Sequence, residues 1–216
     1  MRVVIAGGHG QIALRLTKLL ADAGHEVVGM VRNPDHEGDI TAAGGQAAVL
    51  DLEQAGVAAV ADVLSGADVA IFAAGAGPGS GKARKDTVDR GAAALFADAA
   101  EQAGVRRHLQ VGSMGADRAD SLTDDEVFTV YLKAKKAAED DLKRRDLDWT
   151  ILRPGGLTND PGTGLVLLAD KTGNGKISRD DVALVLAGLC DTPASIGRTL
   201  ELVAGQTPVA EALKNL

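Results

Sequence analysis

Short apolar runs and amphipathic segments alternate along this chain of 216 residues. Residues 3–6 are apolar, rich in β-branched side chains and followed by a glycine, which is typical of a buried parallel strand. From Ile12 the apolar positions recur at the period of one helix face. The other predicted strands are 26–31, 46–52, 67–74, 107–112, 147–154 and 198–203, and the other predicted helices are 89–102, 131–145, 178–189 and 209–216. This alternation predicts an α/β fold.

The turn between the first strand and the first helix carries a nucleotide-binding pattern. Gly7 permits a tight turn, Gly10 lets backbone amides approach a pyrophosphate, and Ala13 lets the helix lie close to the strand. The helix N-terminus adds unpaired N–H groups and the positive end of the helix dipole. We therefore expect a dinucleotide site here; the alternative is a glycine-rich turn that binds no ligand.

The end of the second strand predicts which dinucleotide is bound. Arg32 and Asn33 lie where an acid would accept from the ribose 2′-hydroxyl of NAD, and residues 30–34 contain no acid. An arginine there suits the 2′-phosphate of NADP, so we expect NADP rather than NAD; a solvated surface arginine is the alternative. Asp51 and Leu52, after the third strand, are expected to contact the adenine, although Asp51 could instead cap the next helix.

Three residues are candidates for catalysis. Ser113 lies just beyond the fifth strand, at the carboxyl edge where ligands bind in open α/β sheets. Tyr131 and Lys135 are four residues apart, which places both on one face of a helix. An ammonium beside a phenol stabilises the phenolate, so that a group titrating near pH ~10 can exchange protons at neutral pH. The spacing alone is common on helices, but here it includes the only tyrosine of the chain.

Composition excludes several classes of protein and site. The formal charge of −7 argues against a nucleic-acid partner. The single cysteine, Cys190, excludes an intramolecular disulfide and a thiolate metal cluster. No segment has the length of a membrane span and the chain opens on a strand instead of a signal peptide, so we expect a cytoplasmic protein without a membrane partner. The sequence of residues 170–181 is similar to the calcium-binding loop of an EF-hand. Thr172 and Asp181 replace two of the usual ligands of that loop, so no metal is expected.

With these motifs established, the chain resembles the atypical short-chain dehydrogenases/reductases, in particular the small NAD(P)-binding, NmrA-like proteins. The resemblance covers essentially the whole chain and rests on Gly7/Gly10/Ala13, Val31-Arg-Asn, Asp51-Leu52, Phe72-Ala-Ala-Gly75, Val111-Gly-Ser113, Tyr131-x-x-x-Lys135, Arg153-Pro-Gly155 and Arg179-Asp-Asp-Val-Ala183. It implies a Rossmann-like, doubly wound, mostly parallel sheet of about seven strands. Residues 1–216 would form one NAD(P)-binding domain with a minimal C-terminal substrate region, in which residues 155–177 are loops and a short hairpin.

The resemblance also implies an activity, namely NADP-dependent hydride transfer between nicotinamide and a small carbonyl or alcohol. Ser113 would hold the substrate oxygen, Tyr131 would transfer the proton, and Lys135 would bind the nicotinamide ribose. The expected cofactor-binding residues are Gly7, His9, Gly10, Gln11, Ile12, Arg32, Asn33, Asp51, Leu52, Ala73, Ala74, Gly75, Lys135, Pro154 and Gly155. One alternative is a non-catalytic, NADP-binding redox regulator, because Asp89 stands where an asparagine often completes the proton relay of the family. A nucleotide-sugar epimerase or dehydratase is a weaker alternative.

Overall fold

The computed structural model describes residues 1–77, 84–121 and 127–216. Within them the strands are β1 (Arg2–Ala6), β2 (Glu26–Val31), β3 (Gln46–Val49), β4 (Val69–Phe72), β5 (Arg107–Val111), β6 (Asp148–Pro154), β7 (Gly156–Thr158), β8 (Leu165–Ala169), β9 (Lys176–Ser178), β10 (Arg198–Ala204) and β11 (Thr207–Pro208). The α-helices are α1 (Gln11–Asp22), α2 (Glu37–Ala42), α3 (Val57–Leu64), α4 (Ala93–Ala103), α5 (Val127–Leu142), α6 (Arg179–Leu189) and α7 (Val209–Lys214). A π-helical stretch, Lys85–Ala92, leads into α4, and a 3₁₀-helix covers Ala116–Ser121. The sequence also predicts a glycine-rich loop after Gly75 and an acidic loop at 117–126, and both lie partly outside the described residues.

The main sheet is Rossmann-like, with the strand order β11-β8-β10-β6-β5-β4-β1-β2-β3. All pairs from β10 to β3 along this order are parallel. Within the sheet, β2 and β3 lie on one side of β1, and the chain then returns to place β4 on the other side of β1. This reversal creates a crevice beyond the carboxyl ends of β1 and β4, which is where ligands bind in such sheets.

The region after β6 differs from the prediction. Residues 155–177 were expected to form loops and a short hairpin, but β7 and β9 pair in parallel as a small separate sheet. β8 joins the main sheet antiparallel to β10, and β11 extends it further, so the described part of the chain forms a sheet of nine strands. The side chains of β8 alternate between exposed and buried, as in a strand with one solvated face, and this pattern explains why the segment forms a strand of the main sheet instead of a loop.

The core consists of two layers on opposite faces of the sheet. Val3 and Ile5 of β1 pack into one apolar cluster with side chains of α1 and α6. Val4 and Ala6 point to the other face and pack with side chains of α3 and α4. A strand that is buried on both faces carries a continuous apolar run, which explains the pattern of residues 3–6. Among the described residues, no helix has the length and apolar character needed to cross a membrane.

Candidate functional site

The turn after β1 requires glycine at its first position. Gly7 has a φ of +79°, in the left-handed region that glycine adopts without strain. A Cβ at this position would lie 2.6 Å from the Cα of Ala74, so a larger residue would displace the main chain that follows β4. The N–H of Gly10 donates to the carbonyl of Gly7 over 2.8 Å and closes the turn. The two chain segments therefore approach each other closely at the crevice.

The N-terminus of α1 faces this turn and suits an anion. Gly10, the residue before the helix, has no side chain that could cap it, and the first turn of α1 contains no acid. The first N–H groups of the helix and its dipole can therefore act on a ligand. Ala13 is fully buried in the core beneath, which keeps α1 close to β1. This arrangement fits the diphosphate of a dinucleotide.

Two adjoining cavities open at the crevice. The first, of about 660 Å³, lies beyond β4, β5 and β6, and the second, of about 410 Å³, lies beyond β2 and β3. They share Gly10, Ala73, Ala74 and Gly75 as a common wall. The first is also lined by Gln11, Ile12, Ser113, Tyr131, Lys135, Pro154 and Gly155, and the second by Gly7, His9, Arg32, Asn33, Asp51 and Leu52. The structure thus places every residue of the predicted site on the wall of one cavity or the other.

The three candidates for catalysis lie together in the first cavity. The Oγ of Ser113 donates to the carbonyl of Met114 over 3.3 Å. The Nζ of Lys135 lies 5.9 Å from the ring centroid of Tyr131. The ring of Phe128 stacks on that of Tyr131 with centroids 6.1 Å apart, and its side chain is exposed at the same cavity. Two hydroxyl groups and an ammonium therefore face a space that has one aromatic side.

Lys135 is held in place by a buried acid. Its Nζ lies 3.2 Å from Oδ1 of Asp89, and it donates to the carbonyls of Val111 and Ala74 over 3.2 and 3.5 Å. Asp89 is fully buried, and its Oδ2 accepts from the N–H of Ala76 over 3.3 Å. A buried ammonium without a counter-charge would be strongly destabilising, and Asp89 supplies that counter-charge and orients the side chain of Lys135. The acid that departs from the family pattern is thus the ionic partner of the lysine.

A second buried ion pair fixes α5 against β6. Nη2 of Arg153 lies 2.5 Å from Oε2 of Glu139, and both side chains are almost completely buried. Burial opposes the charge of Arg153, but its hydrogen bonds with Glu139 and the negative charges of Glu139, Asp117 and Glu201 together outweigh this and hold the pKa of the guanidinium above its usual value. Glu139 follows Lys135 by one helical turn, so this pair sets the position of the face that carries Tyr131.

In the second cavity, Asp51 forms a local turn. Its Oδ1 accepts from the N–H of Glu53 over 3.0 Å. Arg32 donates through Nη1 to Oε2 of Glu53 over 3.2 Å, so it is not a solitary surface arginine. His9 stacks on His36 with ring centroids 3.6 Å apart. The rim of this cavity therefore carries an organised set of charged and ring side chains.

Several side chains of the site were missed by the sequence analysis. They are Glu53 and Arg84 in the second cavity, and Val127, Phe128, Leu157 and Arg179 in the first. Phe128 could have been found, because it lies three residues before Tyr131 on the same helix. Nothing in the sequence links Arg84 to Glu53, since 31 residues separate them. Among the described residues, no cluster of three or more metal-binding side chains is present.

Comparison with known proteins gives a consistent family. Residues 7–193 match the model of a family described as NAD(P)H-binding. An uncharacterized sugar epimerase of Bacillus subtilis is 37% identical, and the alignment covers 100% of both chains. A solved structure from Bacillus halodurans, provisionally named an NAD-dependent epimerase/dehydratase, is 34% identical with a TM-score of 0.92 and covers 100% of both chains. An anaerobillin reductase of Escherichia coli O157:H7 is 25% identical with a TM-score of 0.78, covering 94% of this chain and 97% of that one.

Proposed function

Because the chain belongs to this NAD(P)H-binding family, we propose that it is an NADP-dependent oxidoreductase acting on a small carbonyl or alcohol. The observation that carries the proposal is the position of Ser113, Tyr131 and Lys135. All three line the cavity that adjoins the glycine turn and the N-terminus of α1. A hydride-transfer site needs a proton donor next to the dinucleotide, and Tyr131 is the proposed donor in this cavity.

The residues around the crevice fit a dinucleotide. Gly7 and Gly10 keep the turn before α1 tight, because a side chain at either position would be crowded by main chain. A tight glycine turn at a helix N-terminus lets backbone N–H groups approach a diphosphate. Leu52 and Val31 line the second cavity, where the adenine would lie, and Pro154 lines the first, on the nicotinamide side. When bound, the nicotinamide supplies or accepts the hydride.

The side chains of this protein supply the proton and the orientation. The hydroxyl of Ser113 donates a hydrogen bond to the substrate oxygen and thereby fixes its position. The phenol of Tyr131 gives its proton to that oxygen during reduction and takes it back during oxidation. The ammonium of Lys135, held by Asp89, stabilises the phenolate through its charge and binds the nicotinamide ribose.

NADP is the proposed cofactor, in preference to NAD. Arg32 lies on the wall of the second cavity at the end of β2, and no acid occupies residues 30–34. A guanidinium pairs well with a phosphate through two parallel hydrogen bonds. A cation therefore lies at the end of β2, where the ribose 2′-position is normally read, and the chain contributes no acid from residues 30–34.

The proposal is tested by removing single hydroxyl groups. Purified protein is assayed with NADPH against a broad panel of carbonyl compounds, including quinones and flavins. On any substrate found, Tyr131→Phe is expected to lower kcat by roughly 100-fold or more, because the proton donor is lost, while NADPH affinity is unchanged. Ser113→Ala should also lower turnover, whereas the exposed Ser121→Ala is the matched control. Full turnover by Tyr131→Phe would exclude the proposed proton donor.

A nucleotide-sugar epimerase is the second candidate, because one relative that aligns over the full chain is named an uncharacterized sugar epimerase, and a similar solved structure is provisionally named an NAD-dependent epimerase/dehydratase. An epimerase would interconvert nucleotide sugars without net consumption of cofactor, and product analysis detects this directly. Tight binding of NADPH without turnover of any substrate would instead favour a non-catalytic regulator.

A further inference from the structure

Two arginines from distant elements converge on one carboxylate oxygen in the second cavity. Nη2 of Arg84 lies 2.6 Å from Oε2 of Glu53, and Nη1 of Arg32 lies 3.2 Å from the same atom. Thr87 donates its hydroxyl to Oε1 over 2.7 Å. Arg32 follows β2, Glu53 follows β3, and Arg84 directly precedes the π-helical stretch that leads into α4. Three segments that surround the adenosine end of the crevice thus meet at one anionic oxygen.

Glu53 is ionised at neutral pH and can act as a counter-ion. Hydrogen bonds from Arg84 and then Thr87 hold the pKa of Glu53 below its usual value. The side chain of Glu53 is 19% exposed, while those of Arg32 and Arg84 are 54% and 41% exposed. Both guanidiniums therefore keep donors that face solvent and can turn toward a ligand.

Guanidiniums form strong charge-assisted hydrogen bonds with phosphates as well as with carboxylates, so two guanidiniums that converge on one carboxylate oxygen can also converge on a phosphate. A phosphate dianion offers more acceptor oxygens and more charge than a carboxylate, so it can engage both arginines while Glu53 turns away. Asp51 also lines this cavity, but its Oδ1 accepts from the main chain of Glu53 and does not pair with either arginine.

We propose that Arg32 and Arg84 form a two-arginine clamp for the 2′-phosphate of NADP(H), and that Glu53 holds the clamp in position when no phosphate is bound. This inference rests on the proposed function, since it concerns the same dinucleotide. It adds Arg84 as a residue that determines cofactor specificity and Glu53 as a positioning residue. The rival explanation is a purely structural bridge between the β3–α3 loop and the π-helical stretch.

The test uses adenosine 2′,5′-bisphosphate and 5′-AMP, which differ only by the 2′-phosphate. Their affinities for the full chain are measured by calorimetry, together with those of NADPH and NADH. Arg84→Ala is expected to weaken binding of the bisphosphate and of NADPH by roughly tenfold, and to leave 5′-AMP and NADH unchanged. Arg84→Lys should recover only part of the loss, because an ammonium cannot bind in a bidentate manner. Arg90→Ala is the matched control, since Arg90 lies on the same helical stretch and pairs with Asp86.

Glu53→Gln separates the clamp from its rivals. Glutamine keeps an acceptor oxygen that can position the arginines but removes the competing charge, so binding of the bisphosphate is expected to be preserved or strengthened without a change in 5′-AMP. If Glu53→Gln instead weakens 5′-AMP and NADH, Glu53 reads the ribose hydroxyl and the clamp is wrong. Equal effects of Arg84→Ala on all four ligands, or no preference of the unmodified protein for the bisphosphate, would also overturn it.

The two proposals fail in different ways. If Arg84→Ala leaves NADPH affinity unchanged while carbonyl reduction proceeds, the clamp is refuted and the oxidoreductase stands. If the bisphosphate binds through Arg84 but no carbonyl is reduced, the clamp stands and the oxidoreductase does not.

Discussion

At the scale of single residues, Gly7 shows how a backbone requirement becomes a binding site. Its positive φ turns the chain away from β1, and its missing side chain lets the main chain at Ala74 approach. The main chain that approaches Gly7 is also the wall between the two cavities, because Ala73, Ala74 and Gly75 line both of them. A substitution at Gly7 should therefore affect both the turn and the cofactor.

Gly7→Ala separates crowding from simple backbone strain when it is compared with Gly24→Ala. Both glycines have a positive φ, +79° and +81°, but a Cβ at Gly24 would meet nothing within 4 Å. Gly24→Ala should cost about 1–2 kcal/mol of unfolding free energy from the left-handed backbone alone, and leave NADPH affinity unchanged. Gly7→Ala should cost about 1–3 kcal/mol more, because main chain must move, and should weaken NADPH. Denaturant unfolding and calorimetry measure the two effects, and equal behaviour of the variants would contradict this reasoning.

The residues that form local patterns were predictable, and those that form long-range pairs were not. Gly7, Gly10 and Ala13 lie close together in the sequence, and so do Tyr131 and Lys135. The partner of Lys135 is Asp89, 46 residues earlier, and periodicity gives no information about which helices approach each other. From the sequence alone, Asp89 is distinguished only as a departure from a family pattern. Its ion pair with Lys135 could not be predicted, because it depends on the tertiary structure.

At the scale of elements, strands buried on both faces were the easiest to predict. β2 has the predicted bounds, and β1 and β5 differ from theirs by one residue. The short strands β7, β9 and β11 were missed because two or three residues cannot show a period. The helix expected to open at Tyr131 begins earlier, at Val127, which brings Phe128 onto the same helix as the tyrosine.

The cap of α6 was predicted from a local pattern and is confirmed. In the sequence, Ser178 opens the predicted helix 178–189 and Asp181 follows it by three residues, which is the spacing of a capping box and predicts that Ser178 caps this helix. Its Oγ accepts from the N–H of Asp181 over 3.0 Å, and the helix ends at Leu189. Capping involves neighbours in sequence, so the sequence suffices to predict it.

β5 contains a buried histidine that makes stability depend on pH. His108 is fully buried, and neither ring nitrogen has a hydrogen-bond partner among the described residues. Burial first, and then the charges of Arg145 and Arg107, lower its pKa to about 3. Between this value and the ordinary 6.5, the unfolded chain binds a proton that the folded chain does not. The free energy of unfolding therefore falls as the pH falls through this window.

Comparison with His108→Leu isolates this contribution. Relative to the unmodified protein, the variant should gain about 1.4 kcal/mol of unfolding free energy for each pH unit below 6.5, because it has no ring to protonate on unfolding. Denaturant unfolding at a series of pH values down to about 5 measures the difference, before most carboxylates titrate. His25→Gln, at a partly exposed position, is the control. Parallel pH profiles for His108→Leu and the unmodified protein would show that the buried ring titrates normally.

At the scale of the whole molecule, strand order gathers the site. The reversal at β1 brings the ends of β1, β2, β4, β5 and β6 to one edge of the sheet. The predicted site residues could be assigned to that edge from the sequence, because each one follows a predicted strand or lies at the start of a helix. It could not be foreseen that the crevice divides into two cavities, nor that the π-helical stretch brings Arg84 to the second, since the sequence does not show how these segments pack.

The central claim is that the first βα unit binds the diphosphate of a nicotinamide dinucleotide. Calorimetric titration of the full chain with NADP, NADPH, NAD and NADH tests it most directly. We predict heat of association at one site per chain, with NADP and NADPH, which carry the 2′-phosphate, bound more tightly than NAD and NADH. Absence of heat with all four nucleotides at about millimolar concentration, where even weak binding near −4 kcal/mol is detectable, would contradict it.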